Sequence, residues 1–76
     1  WFERAAHAGN AVAMNRLARL YATGRGMEVD PVEAVKWHLI ARSRGLSDIW
    51  LDSYMEAQSE EVRKEARARA RTWWNG

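Results

Sequence analysis

Two histidines are the residues of this sequence best suited to acid–base chemistry. His7 lies four residues after Glu3, so on a helix the two side chains would share one face. His38 follows Trp37 and takes the place in a later segment that Phe2 takes in the opening one, which favours packing. Because no nucleophile–base pair accompanies either histidine, we expect a solvated glutamate–histidine contact, a packed His38 and no enzyme activity.

Metal and phosphate binding both require patterns that the sequence lacks. A metal site needs three or four ligands at a suitable spacing, whereas the chain has two histidines in different predicted helices, no cysteine and no HExxH motif. A phosphate-binding loop needs GxxxxGK(S/T) between a strand and a helix. The "GRG" stretch from Gly24 to Gly26 instead joins two predicted helices. We therefore expect no metal and no cofactor.

The basic stretch "EEVRKEARARARTWW" could contact nucleic acid, because arginines bind phosphates and tryptophans stack on bases. Residues 59–76 hold five of the twelve basic residues and three of the ten acidic ones, and the net charge of the chain is only +2. Glutamates interleave with the arginines, and Trp73 is in phase with the apolar stripe of this helix. We expect a solvated helix here, with nucleic-acid binding as a less favoured alternative.

One proline and few turn clusters predict an all-α chain long enough for one small domain. Expected N-caps are Asn10, Asp30, Ser47 and Ser59, and the "DPVE" stretch combines an N-cap, a first-position proline and a capping box. Glycines after two of the helices suit left-handed C-caps. The predicted helices span residues 1–8, 11–23, 31–44, 48–57 and 60–74.

The apolar residues of the third predicted helix cover more than one face, which indicates neighbours on several sides. Ala34, Trp37 and Ala41 form one stripe, and Ile40 lies on another side of the same helix. The last predicted helix carries one narrow apolar stripe instead, and arginine and lysine occupy the rest of its surface. Its stripe consists of Val62, Ala66, Ala70 and Trp73.

The chain repeats itself with a period of 36 residues, because Trp1, Ala5 and Gly9 recur as Trp37, Ala41 and Gly45. Periods of this length are typical of helical repeat arrays. The full pattern resembles the SEL-one-like repeat, a relative of the tetratricopeptide repeat. It runs through Ala13, Leu17, Ala18, Tyr21, Gly24, Gly26, Asp30, Ala34, Trp37, Ala41 and Gly45.

The resemblance implies an α/α superhelical solenoid of antiparallel helix pairs. It divides the chain into a repeat region, residues 1–46, and a C-terminal helical cap, residues 47–76. Within the first region, a half repeat covers residues 1–9 and a full repeat covers residues 10–45. Two positions depart from the family pattern: Ala18 replaces a usual glycine and Arg42 a common alanine. We expect the chain to be the C-terminal piece of a longer solenoid, with the cap giving it a polar end.

The resemblance also implies a scaffold or adaptor that binds a protein or peptide on its concave face. The first helix of a repeat lines that face in such arrays, which selects Asn15, Arg16, Arg19 and Thr23 as partner-binding residues. Arginine can hold carboxylates with two bonds, and the asparagine amide can bind a peptide backbone. The alternative is a purely structural segment that caps the array or contacts a subunit through Trp73 and Trp74.

The sequence contains no stretch that resembles a signal peptide or a transmembrane span. The resemblance suggests a bacterial regulatory or envelope-associated system. It does not distinguish between the cytoplasm and the periplasm as the compartment of the protein. The oligomeric state is equally open.

Overall fold

The computed structural model describes Arg4, residues 9–26 and residues 28–75, with side chains as far as Trp73. Over this part the chain is all-helical and contains no β-strand, which confirms the all-α prediction, whereas the superhelical solenoid and its cap stay predictions. The helix predicted over residues 1–8 lies outside the described residues apart from Arg4. The helices are α1 (Ala11–Thr23), α2 (Pro31–Ser43), α3 (Ile49–Ala57) and α4 (Glu60–Asn75).

Helix α1 begins and ends where local chemistry predicts. The Asn10 side chain accepts a hydrogen bond from the Ala13 N–H at 3.1 Å, which satisfies one free amide of the first turn. Gly24 ends the helix at a φ of 73°, a left-handed conformation that glycine adopts without a Cβ penalty. Its N–H donates to the Leu20 carbonyl at 2.7 Å.

Helix α2 is the buried centre of the molecule. The Asp30 carboxylate accepts from the Glu33 N–H at 3.2 Å, and Pro31 fills the first turn, so the predicted N-cap is confirmed. The helix ends at Ser43, one residue earlier than predicted, with Arg44 as its C-cap. Burial on several sides is also confirmed, and it includes Ala34, Val35, Trp37, His38, Ile40 and Ala41.

Helix α3 corrects one prediction. Its N-cap is Asp48, whose side chain accepts from the Leu51 N–H at 3.2 Å, and Ser47 lies outside the helix. Serine and aspartate are both strong N-caps. Two side chains of α1, Asn15 and Arg19, bind the carboxylate of Asp48 in addition, and serine offers no charge for the arginine.

Helix α4 begins after Ser59, whose Oγ accepts from the Val62 N–H at 3.2 Å, as predicted. Ala66 and Ala70 of the predicted stripe are fully buried. Trp73 packs edge-on against Trp37, with ring centroids 6.2 Å apart and planes at 74°. This half-buried position agrees with the place of Trp73 in the predicted apolar stripe and does not favour the alternative of an exposed subunit contact through it; the Trp74 side chain lies outside the described residues.

Helix α2 packs against α1 on one side and α4 on the other, and α3 contacts both α1 and α2. The core formed by these contacts is continuous and joins all four helices. It contains Ala13, Met14, Leu17, Ala18, Trp37, Ile40, Ala41, Leu51 and Ala70. The packing places the outer side of α1 next to the start of α3, where the predicted partner-binding residues lie.

Candidate functional site

Two of the four predicted binding residues hold the beginning of α3. Asn15 Nδ2 donates to Asp48 Oδ2 at 2.8 Å. Arg19 donates through Nε to Oδ2 at 2.8 Å and through a terminal nitrogen to Oδ1 at 3.0 Å, which is a bidentate pair. The carboxylate that the sequence assigned to a partner is therefore supplied by the chain itself.

The hydrogen bonds at the start of α3 shift the pKa values of Asp48 and Arg19. The hydrogen bond from Arg19 holds the pKa of Asp48 at about 2, against a usual value of 3.8, with Asn15 and the Leu51 amide adding to the effect. The same bond raises the pKa of Arg19. The Asp48 side chain is 8% exposed and the Arg19 side chain 49% exposed, so the pair has one protected and one open end.

The remaining two predicted residues are exposed. The Thr23 hydroxyl donates to the Arg19 carbonyl at 2.8 Å, a bond within α1. Arg16 is exposed and forms no hydrogen bond or ion pair with the residues that the structure describes. Arg16 is thus the member of the predicted set whose guanidinium is available to a partner.

An open depression of about 400 Å³ lies between α1 and α3. Its lining includes three of the predicted residues and adds three that the sequence did not single out. We call it the α1–α3 depression, and it is lined by Arg16, Arg19, Leu20, Thr23, Arg25 and Trp50. Asn15 is not part of its lining.

Trp50 forms the aromatic wall of this depression. Its ring is 45% exposed and stacks on Tyr54, with centroids 5.8 Å apart and planes at 12°. The Arg19 guanidinium lies 5.2 Å from the Trp50 centroid, a cation–π geometry. Burial raises the pKa of Tyr54, which keeps its phenol neutral. The ion pair with Asp48 holds the Arg19 guanidinium, and the Tyr54 ring holds the Trp50 indole. The two groups are therefore fixed side by side.

His38 is buried as predicted, and it has a partner that the sequence did not suggest. The side chain is 1% exposed, and Nε2 lies 2.7 Å from Asp52 Oδ1 on α3. A carboxylate can only accept, so Nε2 carries the proton. Arg42 lies 3.5 Å from the same oxygen. His38 Nδ1 is buried and has no hydrogen-bond partner in the described part of the chain.

No three side chains from histidine, cysteine, aspartate and glutamate come together in the described part of the chain as ligands for a metal ion. Among the helices described, none combines the length and the apolar character needed to cross a bilayer.

The geometry above, with two helices that pack together, a left-handed glycine after the first and a buried tryptophan in the second, agrees with a family match. The sequence matches the Sel1 repeat at residues 1–10 and again at residues 11–46. The chain belongs to the Sel1 repeat family. The family is a relative of the tetratricopeptide repeats, and Sel1 repeats generally mediate protein–protein interactions.

The Sel1 match covers α1 and α2 and ends before α3. No curated protein and no solved structure matches the chain. Trp50, which lies beyond the matched residues, could not be selected from the repeat pattern, and its only signal in the sequence is a large aromatic residue at the start of a predicted helix.

Proposed function

We propose that this Sel1 chain is an adaptor that binds an acidic segment of a protein partner in the α1–α3 depression. The observation that carries the proposal is the set of three arginines around one exposed tryptophan. Tryptophan and arginine are the residue types most enriched at the energetic centres of protein interfaces. Arginine also matches the planar geometry of a carboxylate.

Arg16 and Arg25 supply the charge for such a partner. Both are exposed, and neither pairs with an acidic group in the part of the chain that the structure describes. Their guanidinium groups stay charged at every physiological pH. A partner carboxylate that contacts both Arg16 and Arg25 forms two ion pairs, and neither arginine has to leave an existing ion pair first.

Asn15 and Arg19 have a different role in this proposal from the one that the sequence suggested. Their bonds to Asp48 fix α3 against α1, and Arg19 also lies over the Trp50 ring. A surface whose aromatic residue is already held in place loses less side-chain entropy when a partner binds. Asn15 and Arg19 are therefore positioning residues, and Arg16, Arg25 and Trp50 make the contacts.

We also propose that residues 47–76 cap a solenoid whose concave face includes the α1–α3 depression. Terminal repeats need a polar outer face. Helix α4 supports this role because it buries Ala66 and Ala70 against the repeat while exposing Arg67 and Arg71.

The test compares single charge reversals in otherwise identical full-length baits. Arg16→Glu and Arg25→Glu should abolish capture of a partner that the wild type retains, and cross-linking should place an acidic segment of that partner beside Trp50. Lys64→Glu is the matched control, since Lys64 is exposed on α4 and does not line the depression. Far-UV circular dichroism checks that each bait is folded.

Equal capture by all of the baits would contradict the proposal. Equal loss with Lys64→Glu would contradict it too, because the interaction would then follow net charge and not this site. Arg19 is left unchanged in this experiment, since replacing it with glutamate would set two carboxylates against each other at the start of α3.

A further inference from the structure

A second surface, between α2 and α4, carries a different arrangement of charge. Two adjoining depressions of about 430 and 310 Å³ share Leu39 and Arg67 and together form a groove between α2 and α4, with Met55 and Glu56 of α3 at one end. We call it the α2–α4 groove. It has no residue in common with the α1–α3 depression, so the two surfaces can be tested separately.

One end of the groove is basic. Arg42, Arg67 and Arg71 surround a floor made of Leu39 and Ala70. Arg67 and Arg71 form no ion pair with any of the residues described, and Arg42 reaches Asp52 only at 3.5 Å. The three arginine guanidinium groups can bind a carboxylate, and the apolar side chains beside them can contact an apolar part of the same ligand.

The other end of the groove carries charges of both signs. Glu56 and Glu60 line it beside Met55, together with Arg63 and Arg67, and neither glutamate is ion-paired within the described part of the chain. A polyanion that follows the groove would meet these carboxylates, and like charges repel at this range. Because the carboxylates lie at one end only, the groove favours a segment with its negative charge at the other end over a nucleic-acid backbone.

We propose that the α2–α4 groove binds an extended segment of a protein partner that combines carboxylates with an apolar side chain. The carboxylates pair with Arg67 and Arg71, and the apolar side chain lies on Leu39. The site adds a second contact surface to the adaptor, and none of its lining residues belongs to the α1–α3 depression. Two separate surfaces would let one Sel1 chain hold two segments of a partner or two partners together.

The test is an NMR titration of the full chain that follows the arginine Nε–Hε signals. The probe is an acetylated and amidated peptide, Ser-Glu-Leu-Glu-Ser, and its matched control is Ser-Gln-Leu-Gln-Ser. We expect the acidic peptide to shift the signals of Arg67 and Arg71 in a saturable way. Arg67→Gln or Arg71→Gln should each raise the Kd about three- to fivefold, as expected for exposed ion pairs. Lys64→Gln should leave it unchanged.

Several outcomes would overturn the proposal. These are equal shifts with the glutamine peptide, equal effects of Lys64→Gln and Arg67→Gln, or no saturable shift up to about 5 mM peptide, a concentration that reveals millimolar affinity. Tighter binding of a thymidine decamer at the same signals would assign the groove to single-stranded nucleic acid. Shifts confined to Arg16 and Arg25 would assign the peptide to the α1–α3 depression alone.

Discussion

The carboxylate of Asp48 accepts hydrogen bonds from three residues and so connects two helices through one side chain. It accepts from the Leu51 amide at the start of α3, and from Asn15 and Arg19 on α1. Charged hydrogen bonds of this kind are about twice as strong as neutral ones. Asp48 is therefore both a helix cap and the residue that joins α3 to the Sel1 repeat.

Replacement of Asp48 by Asn should keep the cap and remove the ion pair. Because the pKa of Asp48 is about 2 in the folded chain and 3.8 ordinarily, the stabilisation is complete above about pH 4 and disappears as the pH falls towards 2. We expect Asp48→Asn to lower the free energy of unfolding by about 1–2 kcal/mol at pH 7, given that Arg19 is half exposed. The difference from wild type should close near pH 2, measured by urea titration.

Glu28→Gln provides a control for that measurement, since it removes the same charge from an exposed residue without an ion pair in the described part of the chain. Its effect should be small at every pH. A wild-type advantage over Asp48→Asn that stays constant down to pH 2 would contradict the role given to the charge of Asp48.

At the residue scale, the sequence indicated which side chains face the outside of α1 but not what they meet. Asn15, Arg16, Arg19 and Thr23 were selected by their places in the repeat. Asp48 lies 33 residues after Asn15, and no local pattern relates the two. The pairing of His38 with Asp52 escaped prediction for the same reason, because it forms only when α3 folds back against α2.

At the scale of the element, helix boundaries were predictable because capping is local. Asn10, Asp30 and Ser59 were expected as N-caps, and each accepts a backbone N–H three residues ahead. Ser47 was wrong because Asp48, its neighbour, is an equally good cap locally. The choice between them depends on the tertiary contacts with α1.

The two serines provide a matched test of that correction. Ser59→Ala removes the hydroxyl that caps α4 and should cost about 0.5–1 kcal/mol, the lower part of the range for N-caps because the site is exposed. Ser47→Ala removes an exposed hydroxyl outside α3 and should cost almost nothing. Urea titration followed by far-UV circular dichroism measures both. A larger loss with Ser47→Ala would restore Ser47 as the cap.

At the scale of the whole molecule, α2 holds the other helices together. Trp37 is 2% exposed, and it contacts Trp73 of α4 as well as the core. The apolar residues on more than one face of α2 were a reliable signal of neighbours on several sides, because each apolar face of a helix must be covered. Which helix covers which side of α2 was not predictable. Helix α4 packs on α2, although α3 lies between the two in the sequence.

Trp37→Ala should lower the free energy of unfolding by about 3–5 kcal/mol, the usual cost of removing a buried aromatic residue. A domain of this size has little more stability than that. Trp50→Ala is the matched control, since its ring is 45% exposed, and we expect a loss within about 1 kcal/mol. Chemical denaturation compares them, and similar losses would contradict the central role of α2.

The packing of α4 directly on α2 has a consequence for the order in which the ribosome delivers the chain. Residues 11–59 emerge before Glu60–Asn75. The side of α2 that Ala70 and Trp73 later cover is therefore uncovered while α4 is being synthesised. Sixteen residues take about one to three seconds to synthesise. For that interval the nascent chain carries an uncovered apolar helix face, and the folding of α4 onto α2 covers it.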